Sequence, residues 1–294
     1  MLQTSAPIAL TAIERSPGYW ATVWSRFRRD PVAVAAGLVV LALILVAIFA
    51  PYVAPQDPYK GMALRRLRPP GTDGYLLGTD ELGRDMLSRL IYGARLSLFM
   101  GVTPVLLALG AGATIGIVAG YAGGWVNTIL MRIVDVFFAF PSVLLAIALS
   151  GALGAGITNG LISLTVVFIP PIARIAESVT TSVRTRDYVE AARASGAGPL
   201  RIIRTQVLGN VMGPIFVYAM SLVAVSMILA SGLSFLGLGV KPPEPEWGLM
   251  LNTLRTAMYT QPLLCALPGL MIFLTSIAFN MLTDGLRSAM DLKA

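Results

Sequence analysis

Apolar residues in this chain come in long runs separated by shorter polar stretches. Six runs stand out, at 31–54, 96–120, 127–151, 156–175, 211–232 and 262–282. A helix needs about 20 mostly apolar residues to cross the hydrocarbon core of a bilayer. Inside that core a helix satisfies its own backbone hydrogen bonds, which an open strand cannot do. The pattern predicts an all-α polytopic membrane protein with six transmembrane helices. It divides the chain into a tail at 1–30 and a single transmembrane bundle at 31–294.

The polar stretches differ in kind. Segment 56–95 carries Pro69, Pro70 and several glycines, and Met86 to Ile91 reads as a short amphipathic helix. Segment 233–261 holds a Pro/Glu-rich turn from Lys241 to Gly248. Segment 176–210 is a charged island, far longer than a turn between two spans requires. Arg26, Arg28 and Arg29 precede the first run, which predicts a cytoplasmic N-terminus by the positive-inside bias. Six crossings then place the C-terminus and the island in the cytoplasm, with 56–95 and 233–261 outside. Arg184, Arg186, Arg193, Arg201 and Arg204 on the island agree. Segment 56–95 carries seven basic residues against five acidic ones, so charge counting alone does not place it. The first run is too long for the core of a signal peptide and reads as an uncleaved span.

Composition supports the membrane class. The chain is 56% hydrophobic and 13% charged, where soluble chains run about 25% charged. The net charge of +7 is explained by basic residues flanking spans, so the expected partner is the lipid membrane and not nucleic acid. There is no histidine and one cysteine, Cys265, which leaves no disulfide, no Cys/His metal site and no histidine acid–base chemistry. Cys265 lies in an apolar run and reads as a small core residue. No Gly-x4-Gly-Lys-Ser/Thr loop occurs, so nucleotide binding by that route is excluded. No cofactor or metal is expected on this chain.

Three constellations remain. Gly112, Gly116, Gly120 and Gly124 recur every four residues, a small-residue stripe that lets a second helix approach closely. Asp135 is the ionisable residue singled out inside the runs. Two roles are open for it, a structural pair with Arg132 at i−3 or a gating charge on the pathway. On the island, Asp187 reads as an N-cap with Glu190 at the capping-box position. Tyr188, Ala191, Ala192 and Ser195 share one helical face, and Gly196 ends the helix. A helix lying on lipid would bury Trp, Phe or Leu. A face of Ala and Ser instead suits docking to another protein.

Four blocks, spread over most of the chain, resemble the permease subunits of ABC importers of the dipeptide/oligopeptide/nickel type. They most resemble the second, C-type subunit of the permease pair. The blocks are Leu77 to Asp85 with Ser88 to Arg95; Met131 and Arg132 through Asp135 to Pro141; Glu190-Ala191-Ala192 with Gly196; and Leu236 to Val240 with Pro242, Pro243, Trp247 and Gly248. The third block resembles the family's cytoplasmic coupling motif. That motif normally closes on Ile-x-Leu-Pro; here the positions read Gln206-Val207-Leu208-Gly209, so a looser junction to the fifth span is expected.

The resemblance implies a type I importer permease fold in the bacterial inner membrane. It implies a homologous permease as partner, two ATPase subunits that hold ATP and magnesium, and an extracytoplasmic solute-binding protein. It implies that Tyr188, Glu190, Ala191, Ala192, Ser195 and Gly196 couple to an ATPase. It also implies that Asp80, Arg84, Asp85 and Trp247 meet the binding protein. The solute implied is a di- or oligopeptide, with nickel or another small solute as the alternative. A secondary transporter is the reading from a different class; it would need more ionisable residues within the spans.

Overall fold

A computed structural model describes residues 19–290. The first helix, α1 (Tyr19–Phe27), lies in what the sequence reads as a tail, and Asp30 then starts α2 (Pro31–Ile48). The Asp30 carboxylate accepts from Val32 N at 3.0 Å and Ala33 N at 3.1 Å, with Pro31 at the first helical position. A short turn of helix, α3 (Ala50–Val53), follows. Next is α4 (Met86–Ala122), 37 residues long. The amphipathic stretch at 86–91 is therefore the opening of the second span and not a separate helix. Asp85 caps it through Ser88, and nothing between Met86 and Leu96 breaks the backbone ladder.

The third apolar run is two half-helices, α5 (Gly124–Phe138) and α6 (Ser142–Leu153), which meet at 86°. Pro141 at the join has no N–H to continue the ladder. The fourth run extends to Arg184 as α7 (Ile157–Arg184), so residues 176–184 belong to a span and not to the island. The island proper holds α8 (Asp187–Ala194) and α9 (Pro199–Ile202), then a π-turn over 203–207. That turn runs without a break into α10 (Leu208–Phe235). After it come α11 (Trp247–Leu254) and α12 (Pro262–Met290). Among the described residues, five helices, or six with the bent α5–α6 pair counted as one span, are long and apolar enough to cross a membrane.

The glycine stripe sets the central packing. A Cβ at Gly112 would lie 2.9 Å from the Ile169 carbonyl oxygen. At Gly116 it would overlap the Ala173 carbonyl oxygen, and at Gly120 it would lie 2.7 Å from that of Glu177. Contacts that advance together along both helices mean that α4 and α7 run parallel. Gly124 is not part of the seam. Gly123, at φ +68, caps α4 one residue earlier, and Gly124 opens α5 with open space around it.

Because α4 and α7 are parallel, α5–α6 must carry the chain back between them. α10 packs antiparallel to α4, with Met227 against Gly101, and α12 returns antiparallel to α2, with Gly285 against Ala33. One end of the bundle therefore collects Asp30, Gly123, Arg184, α8 and Gly285. The other collects segment 56–85 and α11.

Candidate functional site

At the first of these ends, α8 is held by one buried side chain. Val189 is fully buried and clusters with Val183, Ile202, Val207 and Val211. Tyr188, Glu190, Ala191 and Ser195 stay exposed, while Ala192 turns half inward. The predicted face is thus split, with Tyr188, Ala191 and Ser195 looking outward. Ala192, Ser195 and Gly196 also border a hollow of about 440 Å³ shared with Ala197, Arg201, Thr205 and Gln206.

The start of α8 departs from expectation. Its N-cap is Arg186, in extended conformation and without a side-chain hydrogen bond, so the Asp187/Glu190 capping box does not form. Asp187 is already the first helical residue. Both carboxylates instead sit in the first turn, where the helix dipole favours negative charge. The end follows expectation. Gly196 sits at φ +79 and donates to Arg193 O at 3.0 Å, while Ala197 N donates to Ala192 O at 3.1 Å, which is a Schellman closure. Gln206 and Gly209 do not interrupt the chain's path. The π-turn absorbs Gln206, and Asn210 Nδ2 donates to its carbonyl at 2.6 Å.

The opposite end is built on a buried charge network. Asp80 accepts from Arg84 Nε at 2.6 Å and lies 3.1 Å from Arg89 Nε, and its other oxygen accepts the Leu82 and Arg84 backbone N–H groups at 2.9 Å. Arg84 also reaches Glu81 at 2.8 Å, and Arg89 donates to the Pro58 carbonyl at 3.0 Å. Trp247 is fully buried and donates from Nε1 to the Leu90 carbonyl at 3.0 Å. It occupies the room that Gly93 leaves: a Cβ there would lie 2.8 Å from the indole.

This overturns the direct-contact expectation for Asp80, Arg84, Asp85 and Trp247. All four are buried by their own chain. Buried charges are tolerated when paired, and here the loop pairs Asp80 with Arg84 and Arg89 by folding on itself, while Glu81 Oε2, Asp85 Oδ1 and Arg89 Nε have no hydrogen-bond partner among the described residues. The residues build a platform; they are not its exposed face. Sequence reasoning missed Arg89, Ser97 and Glu246. Glu246 caps α11, accepting from Gly248 N at 2.9 Å and Leu249 N at 2.8 Å, and it meets Ser97 at 3.3 Å. Burial pushes its carboxyl pKa up, against those backbone donors. Its position before an apolar helical run was the available signal.

Between the two ends lies a third polar feature. Asp135 on α5 pairs with Arg174 on α7, not with Arg132. Arg132, one turn earlier, is exposed and makes no ion pair with Asp135. One turn along α7, Glu177 accepts from Asn127 Nδ2 at 2.6 Å and Thr181 Oγ1 at 3.1 Å. Arg184 then reaches the Tyr121 carbonyl at 3.3 Å.

Residues 112–293 match the family described as "Binding-protein-dependent transport system inner membrane component". Residues 18–70 match "N-terminal TM domain of oligopeptide transport permease C". The chain is 42% identical to the glutathione transport system permease protein GsiD of Pectobacterium atrosepticum, over 98% of this chain and 95% of that one. It is 42% identical to the di/tripeptide transport system permease protein DppC of Pseudomonas aeruginosa, over 92% of this chain and 91% of that one. Among solved structures it is similar to the MetNI methionine ABC transporter in an inward-facing conformation. The TM-score is 0.58 at 18% identity, over 69% of this chain and 97% of that one, a likeness of fold.

Proposed function

The chain belongs to the binding-protein-dependent transport system inner membrane components, as the C-type permease subunit of a peptide-type ABC importer, and from that premise we propose its cargo, partners and orientation. The cargo is a di- or tripeptide, glutathione included. The names of the relatives at 42% identity support this over nickel. A homologous permease completes the pathway. Two ATPases carrying ATP and magnesium work from the α8 end, and a binding protein delivers the solute at the α11 end.

The observation that carries the coupling role is the seating of α8. Val189 fixes the helix to the bundle while Tyr188, Ala191 and Ser195 remain exposed for a partner. A helix anchored in this way moves with the spans, so a push on its outer face is passed to α7 and α10. ATP then biases two packings of the bundle through contacts that differ between them.

The arginines around α8 support a cytoplasmic location for that end. Arg28 and Arg29 precede Asp30 at that end, and Arg184, Arg186, Arg193, Arg201 and Arg204 surround α8. In a Cys265→Ala background, a cysteine at Asp73 is expected to react with an impermeant maleimide on intact cells. A cysteine at Ser195 is expected to react only after permeabilisation. The reverse pattern overturns the orientation.

The cargo is tested with the full importer in proteoliposomes. Di- and tripeptides, among them glutathione, are expected to be taken up and to stimulate ATP hydrolysis when loaded on the binding protein. Uptake of a nickel chelate with no response to any peptide overturns the assignment.

A further inference from the structure

We propose that Asp135 and Arg174 form a step in the pathway wall that binds both charged ends of a zwitterionic solute, the carboxylate at Arg174 and the ammonium at Asp135. The proposal rests on the peptide reading above and adds where, within this subunit, the peptide's charges are met.

The pair sits inside apolar helices and yet is open to the outside of this chain. Arg174 lies ten residues before the end of α7 at Arg184, about 15 Å along the helix. The two side chains are 48% and 34% exposed. Charges exposed to hydrocarbon are disfavoured; within spans they face a partner or a water-filled cavity.

The rest of α7 decides between lipid and water. Over its second half, every exposed residue is polar: Arg174, Ser178, Thr181 and Ser182. The contrast is α2, where every exposed residue is apolar, Leu38, Leu41 and Ile48 among them. α2 presents a lipid face; the second half of α7 presents a polar one, suited to a water-filled pathway, beside the apolar exposed flank of α5 at Ile133, Val136 and Phe138. Glu177 with Asn127 and Thr181 continues the polar file toward the α8 end.

The chemistry of the pair selects a class of ligand. A carboxylate and a guanidinium in contact balance each other. A zwitterion that inserts between them replaces one ion pair with two and leaves no charge uncompensated. A solute with one end capped strands either Asp135 or Arg174 in a partly dehydrated wall. The planar guanidinium also offers a carboxylate two parallel donors, which an amide lacks the charge to match. Arg174 holds α5 three residues before its end at Phe138, next to the 86° bend, so ligand exchange at the pair also releases the bent span from α7.

The test uses the full importer in proteoliposomes with trialanine, its C-terminal amide and its N-acetyl form. Each is supplied above the concentration that saturates the binding protein. The same binding protein serves every variant, so a changed uptake ratio belongs to the permease. Arg174→Gln is expected to lower the free-acid to amide ratio about tenfold, the size of one charge-assisted hydrogen bond, with little effect on the N-acetyl ratio. Asp135→Asn is expected to lower the free-amine to N-acetyl ratio by a similar factor. The double variant Asp135→Asn/Arg174→Gln strands no charge, assembles even where a single variant does not, and is expected to lose both preferences. Variants that scale all three peptides by one factor show a purely structural pair and overturn the proposal. A wild-type importer indifferent to both caps overturns it as well. An importer that takes up none of the three overturns the peptide reading itself.

Discussion

Gly116→Leu is expected to abolish recovery of the assembled complex, while Leu107→Ala leaves recovery near normal. The difference follows from what each position meets. A Cβ at Gly116 would overlap the Ala173 carbonyl oxygen and lie 2.5 Å from the Ala176 Cβ. The first obstacle is backbone on α7, which cannot rotate away as a side chain can. Overpacking a fitted interface costs about 1–3 kcal/mol, and a backbone obstacle puts Gly116→Leu at the upper end. In a bilayer, spans associate largely through close packing, so a seam forced apart has little to replace it. Leu107 is 54% exposed and does not face α7, so truncating it removes few contacts. Detergent extraction followed by size-exclusion chromatography reads the outcome. Equal complex yield from both variants would refute the seam. Gly124→Leu is expected to leave the α4–α7 seam intact, because Gly124 lies beyond the end of α4, and any loss it causes comes from its φ of +50, which disfavours an L-residue at the α4–α5 turn.

The apolar runs made the spans legible, and the spacing of Gly112, Gly116 and Gly120 made the seam legible, because both depend on local periodicity. What escaped was set by closure in three dimensions. The ion pair of Asp135 spans 39 positions to Arg174, and i−3 spacing alone favoured Arg132. The segment from Leu77 to Asp85 is rich in charge and so reads as exposed. Asp80 and Arg84 are buried because Arg84 and Arg89 both fold onto Asp80. The bend after Phe138 had a local signal in Pro141, outweighed by the unbroken apolar run on both sides. The length of α4 was missed for the opposite reason: Arg89 and Arg95 look wrong for a span, yet the helix continues through them beyond the apolar core. Glu190 was assigned to a box whose cap position the helix does not use, since Asp187 lies inside the helix.

The coupling helix carries the other large effect. Ala191→Trp and Glu190→Lys are expected to abolish peptide uptake and peptide-stimulated ATP hydrolysis while the subunit remains in the membrane with its partner permease. Both positions are exposed, so neither change disturbs the chain's own packing. Reversing Glu190 removes a favourable charge from the first turn of α8, worth about 0.3–1 kcal/mol, too little to unfold a helix that Val189 anchors. The loss must then come from the surface offered to the ATPase. Gly196→Trp acts differently. Gly196 adopts φ +79, where an L-residue is disfavoured by about 1–2 kcal/mol, and its Schellman closure sets the exit of the chain. That variant is expected to keep α8 but tilt it, giving weak ATPase binding with residual uptake. Cosedimentation of the ATPases with proteoliposomes separates lost docking from lost transmission. If Ala191→Trp and Glu190→Lys both import peptide at the normal rate with normal ATPase stimulation, α8 is not the element through which ATP moves the bundle, and the force must enter elsewhere at that end.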